Sequence, residues 1–373
     1  MESKDLFYNP LSNFVQQLCA TLCSLKKKNK LLLFLSLIFA LVSCHKDPGP
    51  IDNSPTPDPS GNYTNGVFVM NEGNFQWGNA AVSFIHLNDF SIENNLYQAV
   101  NQETLGDVGQ SMTINGNKAY LVVNNSQTIV VVNLVDFKTI TKITGFNSPR
   151  YMLVVNNSKA YVSDLYQNAV YVVNLQNNSI QKTVAASGWT ERMLLLNGKV
   201  FVCNMDKANV LVMDTASDAI IDSIPTIKEP NSIVKDAQNR LWVLCSGGSN
   251  HEQIASLMCI NPTSLQIETQ FSFNATDFPT ELSINKEGTE LFYLNSGVYK
   301  MSTTASALPT QATIAQNGRI FYRMGIHPLS NDIFVTDAVD YMQDGWVLQY
   351  DAAGNALHSW KAGRIPGFVC FRP

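Results

Sequence analysis

An aromatic residue inside a short apolar run recurs along this chain at Phe68, Tyr120, Tyr161, Phe201, Trp242, Phe292 and Phe334, in steps of 52, 41, 40, 41, 50 and 42 residues. A second apolar run follows most of them: Ile129-Val-Val-Val-Asn-Leu, Val170-Tyr-Val-Val-Asn-Leu, Val210-Leu-Val-Met-Asp-Thr. These runs have the β-branched richness of strands buried on both faces. A weaker third run comes next, as in Thr139-Ile-Thr-Lys-Ile-Thr and Ile180-Gln-Lys-Thr-Val, with Asn-Asn-Ser, Asn-Gly and Lys-Glu-Gly as turns between. No segment shows a sustained helical period.

A sheet of four short strands cannot cover its own faces, so units of about 40 residues must stack on their neighbours and close into a ring. The expected fold is therefore all-β, a seven-bladed β-propeller over residues 65–373. A tandem of β-sandwiches, the competing architecture, predicts no such uniform period. The innermost strands are expected to begin near Ser111, Tyr151, Met193, Ser232, Glu281 and Arg323, one fewer than the aromatic strands. The missing one matches Ile365-Pro-Gly-Phe-Val-Cys-Phe at the C-terminus, which would complete blade one and remove an exposed edge.

Because direction alternates within a blade, the segments leading into the first strand and those joining the second to the third share one face. From the aromatic to the next strand the spacing is 9 residues in blades two, three and four, but 14, 15 and 13 in blades one, five and seven, and about 6 in blade six. Insertions gathered on one face mark a working face, with blade six leaving a notch. The long segments are Glu72-Gly-Asn-Phe-Gln-Trp-Gly-Asn79, Ser246-Gly-Gly-Ser-Asn-His-Glu-Gln253 and Asp337-Ala-Val-Asp-Tyr-Met-Gln-Asp-Gly-Trp346. Joined by Gln110, Pro149-Arg-Tyr151, Trp189-Thr-Glu-Arg192 and Phe321-Tyr-Arg323, they offer flat aromatic surface beside amides and guanidinium groups, which suits a large amphipathic ligand. The candidate binding residues are Phe75, Gln76, Trp77, Arg150, Tyr166, Trp189, Arg192, His251, Tyr322, Arg323, Tyr341 and Asp344. The competing reading has these aromatics covering strand ends and these charges in surface pairs. Asn71, Asp164, Asn204, Asn295 and Asp337, each three positions after an aromatic, read as turn caps.

Hydrophobic residues make up 45% and charged residues 15% of the 373, enough for a large core and too little charge for a coiled coil. The net charge of −5, with no basic block beyond residue 30, disfavours nucleic acid as a partner. The five histidines His45, His86, His251, His327 and His358 have no metal-ligand spacing, and HExxH, Gly-x-Ser-x-Gly and phosphate-loop patterns are missing. No metal, catalytic cofactor or catalytic residue is assigned, and binding rather than catalysis is expected. A hydrolytic propeller would have to gather acids such as Asp164, Glu191, Glu281 and Asp337 across the face. Cys203, Cys245, Cys259 and Cys370 lie in apolar strand-like runs without CxxC pairing, so they are expected as buried thiols.

Lys26, Lys27, Lys28 and Lys30 precede the apolar stretch from Leu31 to Val42, which is shorter than the ~20 residues a membrane span needs and ends in Leu41-Val-Ser-Cys44. Residues 1–43 read as a signal peptide, with 1–25 an unusual extension, and the Pro/Asp-rich residues 44–64 as a tether. Removing residues 1–43 takes away five Lys and two acidic side chains, leaving 20 basic against 28 acidic, a formal −8.

Leu-Val-Ser-Cys resembles the lipobox of bacterial lipoproteins, which implies lipidation at Cys44 and attachment to a membrane. The body over residues 66–373, with Ser148-Pro-Arg-Tyr and Ile365-Pro-Gly ends, resembles the YncE-like seven-bladed propellers. Asn71-Glu-Gly-Asn-Phe-Gln-Trp-Gly-Asn79 and Gly106-Asp-Val-Gly-Gln-Ser-Met112 look more narrowly like surface lipoproteins of the BtuG type. That resemblance implies capture of cobalamin at the outer membrane, facing the exterior, and delivery to a TonB-dependent transporter. The alternatives are an interaction or glycan-binding propeller of another uptake system and a lactonase-like hydrolase. A corrin, broad and fringed with amides, suits the aromatic and Asn/Gln-rich segments. Anionic haem or siderophores would need Arg150, Arg192 and Arg323 to form a local positive patch.

Overall fold

The computed structural model describes residues 63–373; the proposed signal, Cys44 and the tether up to residue 62 lie outside the described residues. Among the described residues twenty-eight strands form seven four-stranded antiparallel sheets. Blade two is typical: Gly109–Asn115, Lys118–Val123, Thr128–Asn133 and Thr139–Thr144, from the axis outward. The second strand of each blade and the third strands of blades one to five are almost wholly buried, as the continuous β-branched runs require, whereas the outermost strand alternates or is exposed, as blade two shows.

The ring closes as the sequence predicts. The C-terminal strand Pro366–Arg372 pairs antiparallel with Gly66–Asn71 and becomes the innermost strand of blade one, with Val69 opposite Val369. The innermost strands contact one another in blade order, and that of blade one touches those of blades seven and two. Seven apolar clusters fill the seven interfaces between blades. At the closure, Phe334, Val347 and Trp360 of blade seven pack on Val67, Val69 and Ile85 of blade one. Packing reaches back to Tyr63, 1% exposed, whose ring meets the edges of Phe84 and Phe137.

Two outermost strands are vestigial. In blade one Ile92–Glu93 is followed by a short helix, Leu96–Asn101, entered through a left-handed Asn95. Leu96 and Tyr97 are buried in the interface with blade two, replacing the missing strand surface. In blade six the outermost strand is only Ile314–Ala315. The four cysteines of the described body are unpaired, three of them buried.

Turns between second and third strands follow the expected lengths. Residues 124–127, 165–168 and 205–208 serve blades two to four. Blades one, five and seven use the longer 72–80, 246–255 and 338–343, and blade six has only Asn295 and Ser296. The polar column divides. Asp164 caps its turn, accepting the N–H groups of Tyr166 and Gln167, and Asp337 accepts that of Val339. Asn71 and Asn204 instead reach Ser83, Gly363 and Ala186.

Candidate ligand-binding site at the mouth of the ring

Every innermost strand carries a β-bulge near the end that opens on this face. In blades three, four, six and seven two residues stand opposite one: Arg150 with Tyr151, Glu191 with Arg192, Glu281 with Leu282, and Tyr322 with Arg323. In blades two, five and one the single extra residue is Gln110, Asn231 and Gly367. A bulge bends its strand and re-aims the side chain that a regular ladder would place elsewhere. Seven bulges at one level therefore turn a ring of polar side chains towards the axis. The backbone at Glu281 is held at φ +57°, a strained position for a residue other than glycine.

These side chains form two ion-paired groups that meet at Tyr151, which Arg150 and Arg192 both approach. Arg150 donates from Nε and Nη2 to the two oxygens of Glu191 at 2.9 and 2.7 Å, and from Nη1 to Gln110. Arg192 and Arg323 share Glu281, each holding one carboxylate oxygen, at 3.0 and 3.1 Å. Tyr322 Oη lies 3.0 Å from both oxygens of Glu72, and Arg323 Nη2 lies 3.6 Å from the same carboxylate. Glu72 reaches inward because residue 367 is glycine: a Cβ there would stand 2.3 Å from Glu72 Cγ. Arg192 lies 4.2 Å from the Tyr151 ring and 5.2 Å from the Phe368 ring, two cation–π contacts with rings tilted 51° to each other.

The glutamates are tuned in opposite directions. Burial pushes the Glu72 carboxyl up, and the nearby Arg323 charge and Tyr322 hydroxyl only partly offset it. Burial acts on Glu191 too, but there the Arg150 charge, its hydrogen bonds and the Trp189 N–H prevail and hold the carboxyl below its ordinary range. Beside this network lies a cavity of about 340 Å³, lined by Arg150, Tyr151, Trp189, Glu191, Thr280, Glu281 and Arg323 with Met205, Phe278 and the blade-five residues Glu229, Asn231, Ser246 and Ser249. Arg323 Nε is buried with no acceptor among the described residues, which leaves a donor for a ligand or water to satisfy.

Around the well stands the rim. Phe75 and Trp77 are 59% and 58% exposed, and Tyr341 is 41% exposed. The blade-one and blade-seven segments are tied together: Asn74 Nδ2 donates to the Tyr341 carbonyl, Tyr341 meets Tyr322 edge-on, and Arg364 lies over Trp77 and near Asp344. The Gln76 N–H donates to Asp107, fixing the tip of the blade-one segment. On the far side Glu229 accepts from Ser246 and the Ser249 N–H, and His251 meets Phe278 edge-on.

The structure thus gathers Arg150, Trp189, Arg192, Tyr322 and Arg323 in the centre and Phe75, Gln76, Trp77, Tyr341 and Asp344 on one arc of the rim. His251 sits on the opposite arc. Tyr166, 69% exposed on the turn capped by Asp164, joins neither group. The competing reading of Arg–Glu pairs at the surface has the pairs but not their place: they are interior, with Glu191 and Glu281 side chains each 8% exposed. The three arginines do converge, but each faces a carboxylate, so no uncompensated positive patch results. Sequence reasoning does not single out Glu72 or Phe368; the signal for both is Gly367, whose missing side chain makes room beside the closing strand. Asp164 and Asp337 bind backbone N–H groups. Among the described residues no three His, Cys, Asp or Glu side chains are grouped to hold a metal ion.

Residues 65–363 match the family model described as "Domain of unknown function (DUF5074)". The chain belongs to the DUF5074 family. No curated protein matches this DUF5074 chain in sequence. Among solved structures it is similar to a quinonprotein alcohol dehydrogenase-like protein of Bacteroides thetaiotaomicron, with TM-score 0.68 and 15% identity over 84% of this chain and 79% of that one. It is also similar to the periplasmic gluconolactonase of Pseudomonas aeruginosa, with TM-score 0.64 and 13% identity over 83% and 99% of the respective chains. A hydrazine synthase chain of Kuenenia stuttgartiensis gives TM-score 0.61 and 13% identity over 71% and 90%. At these identities the DUF5074 chain shares a fold with them and nothing finer.

Proposed function

We propose that this protein is a lipid-anchored capture module of the outer-membrane surface that binds a large amphipathic nutrient on the bulged face of its ring. Cobalamin is the first candidate. The observation that carries the reading is the pairing of an aromatic rim with a polar, self-neutralised well at its centre. Rim aromatics offer area to the apolar faces of a broad ligand, and the well offers hydrogen bonds to its polar fringe. Because Arg150, Arg192 and Arg323 are compensated by Glu72, Glu191 and Glu281, the site favours a ligand rich in amides over one carrying several negative charges. The well is smaller than a corrin, so such a ligand would lie across the rim and send only part of its fringe inward. Anchoring through Cys44 and delivery to a TonB-dependent transporter belong to the same proposal, since tethering raises the local concentration of captured ligand at the transporter. The hydrolytic alternative gains nothing from the well, where Glu72, Glu191 and Glu281 are each engaged by an arginine and Glu229 by Ser246 and the Ser249 N–H.

Cyanocobalamin mixed with the protein at micromolar concentration should co-elute with it from a desalting column. A colourless protein fraction would remove the vitamin from consideration. Replacing Phe75, Trp77 and Tyr341 together by alanine should abolish retention without moving the thermal midpoint, because all three are exposed. Normal retention by that variant would place the ligand elsewhere.

A further inference from the structure

A second polar cleft opens where blade six is shortest. The turn Asn295–Ser296 is closed by the Asn295 N–H donating to the Gly297 carbonyl, with Leu294 opposite Val298 directly beneath it. With so little chain above them, Tyr293 and Tyr299 stand under the floor of a cleft of about 270 Å³ facing blade five. The two rings are parallel within 2° with centroids 5.5 Å apart, and Phe273 meets Tyr293 edge-on. Asn274 and Asp277 from the end of blade five form one wall, with Asn295 and Thr310 opposite. None of these lining residues belongs to the well at the ring mouth.

Polar groups with bonding capacity to spare face the cleft. Tyr293 is 1% exposed and lines it, yet among the described residues its hydroxyl has no hydrogen-bond partner. That hydroxyl is not among the side-chain atoms sealed from solvent, so it opens on the cleft, where a ligand oxygen can take the place of water. Asp277 accepts the Asn274 N–H and Nδ2 on the same oxygen, Oδ2, which leaves Oδ1 for an outside donor. No Lys, Arg or His lines the cleft, so an anion finds no counter-charge there.

We propose that this cleft binds one neutral sugar residue. A pyranose presents C–H groups on one face and hydroxyls around its edge, and the cleft offers the half-buried Tyr299 ring with Leu308 and Pro309, beside carboxylate, amide and hydroxyl groups. A quaternary ammonium ion is the competing occupant, attracted by aromatic faces and a carboxylate. It needs rings set around it as a box, whereas the two tyrosines here form a flat stack. A sugar site on the exposed face would hold the module against surface glycans, independently of any ligand over the well.

The test is saturation-transfer NMR on residues 56–373, a compact unit by itself, with the methyl glycosides of glucose, galactose, mannose, N-acetylglucosamine and rhamnose, and with tetramethylammonium. At least one glycoside should bind with a dissociation constant on the order of 1 mM, as suits a ligand of about a dozen heavy atoms. Asn295→Ala and Tyr299→Ala should each weaken it about tenfold or more, with unfolding curves showing the variants folded. Asn295 lies on a surface turn, so its variant remains informative if Tyr299→Ala misfolds. Phe75→Ala with Trp77→Ala should leave the sugar signal intact whether or not cobalamin binds, which separates this site from the rim. Absence of transfer to every glycoside, binding indifferent to Asn295→Ala, or transfer to tetramethylammonium alone would overturn the assignment.

Discussion

Glu281 is the carboxylate on which two arginines depend, and Glu281→Gln tests whether the well is the buried, coupled network that its geometry implies. Its side chain is 8% exposed, and those of Arg192 and Arg323 are 25% and 18% exposed. Removing one partner of a buried pair costs about 3–5 kcal/mol, since the remaining charge stays desolvated without compensation. Glutamine keeps one acceptor oxygen, and Arg323 keeps Glu72 at 3.6 Å, which places the loss near the lower end, about 3 kcal/mol. With an unfolding entropy of about 2.1 cal/mol/K per residue, a ring of this size moves about 1.5 °C per kcal/mol, so scanning calorimetry should show a fall of about 4–5 °C. Arg192→Met, which keeps a flexible side chain over Tyr151, should offset much of that loss when combined with Glu281→Gln. The double variant is then more stable than the single effects predict by about 1 kcal/mol or more. Additivity within about 0.5 kcal/mol, or an unmoved midpoint in Glu281→Gln, would refute the network.

The two oppositely tuned glutamates should give opposite pH slopes in urea titrations. Folded Glu72 holds its proton more tightly than the unfolded chain does, so its contribution is complete below the ordinary carboxylate pKa and is lost as pH rises through the folded value. Glu191 contributes above the ordinary carboxylate range and loses that contribution as pH falls through its depressed value. Glu72→Gln should therefore gain on the parent as pH rises and Glu191→Gln should lose ground; slopes of the same sign would contradict the assignment. Gly367→Ala, which drives a methyl group into Glu72, should erase the Glu72 slope, and a retained slope would show that the carboxylate does not need the space. Deleting Pro366–Arg372 bares one edge of Gly66–Asn71 and should yield oligomers by size-exclusion chromatography; a monomer with the parental midpoint would argue against closure by that strand.

The architecture is readable because it rests on local, repeated features. Each aromatic from Phe68 to Phe334 is buried within the second strand of its blade, and that demand recurs with the period of the fold. Closure is readable because the C-terminal segment repeats the form of an innermost strand. The site is less so. Whether Arg150 and Arg192 face the axis depends on a one-residue slip in pairing, set by crowding near the centre rather than by the pattern of apolar residues. Arg150 finds Glu191 one blade on, 41 residues away, but other partners skip blades, Glu281 being 89 residues from Arg192 and Glu72 250 from Tyr322. No period links such positions. The helix Leu96–Asn101 escapes for another reason: six residues are too few to display a helical repeat, and its role is to bury Leu96 and Tyr97 where a strand is nearly absent.

Repetition supplies the stage, and departures from it supply the chemistry. The seven bulges are equivalent positions, yet their first residues are Gln110, Arg150, Glu191, Asn231, Glu281, Tyr322 and Gly367, so a symmetric backbone presents an asymmetric set of polar and charged groups. The same holds for the turns: blades two to four repeat one length, and the rim and the blade-six cleft arise only where lengths diverge. The energetic consequences separate accordingly. The apolar clusters lie between blades, away from the aromatic tips of the rim, so Phe75, Trp77 and Tyr341 can change with little effect on folding. The well is made of the innermost strands themselves, and a change at Glu281 must register in stability as well as in binding. A rim variant that unfolds early, or a well variant that alters binding with no effect on stability, would mean that scaffold and site are not divided in this way.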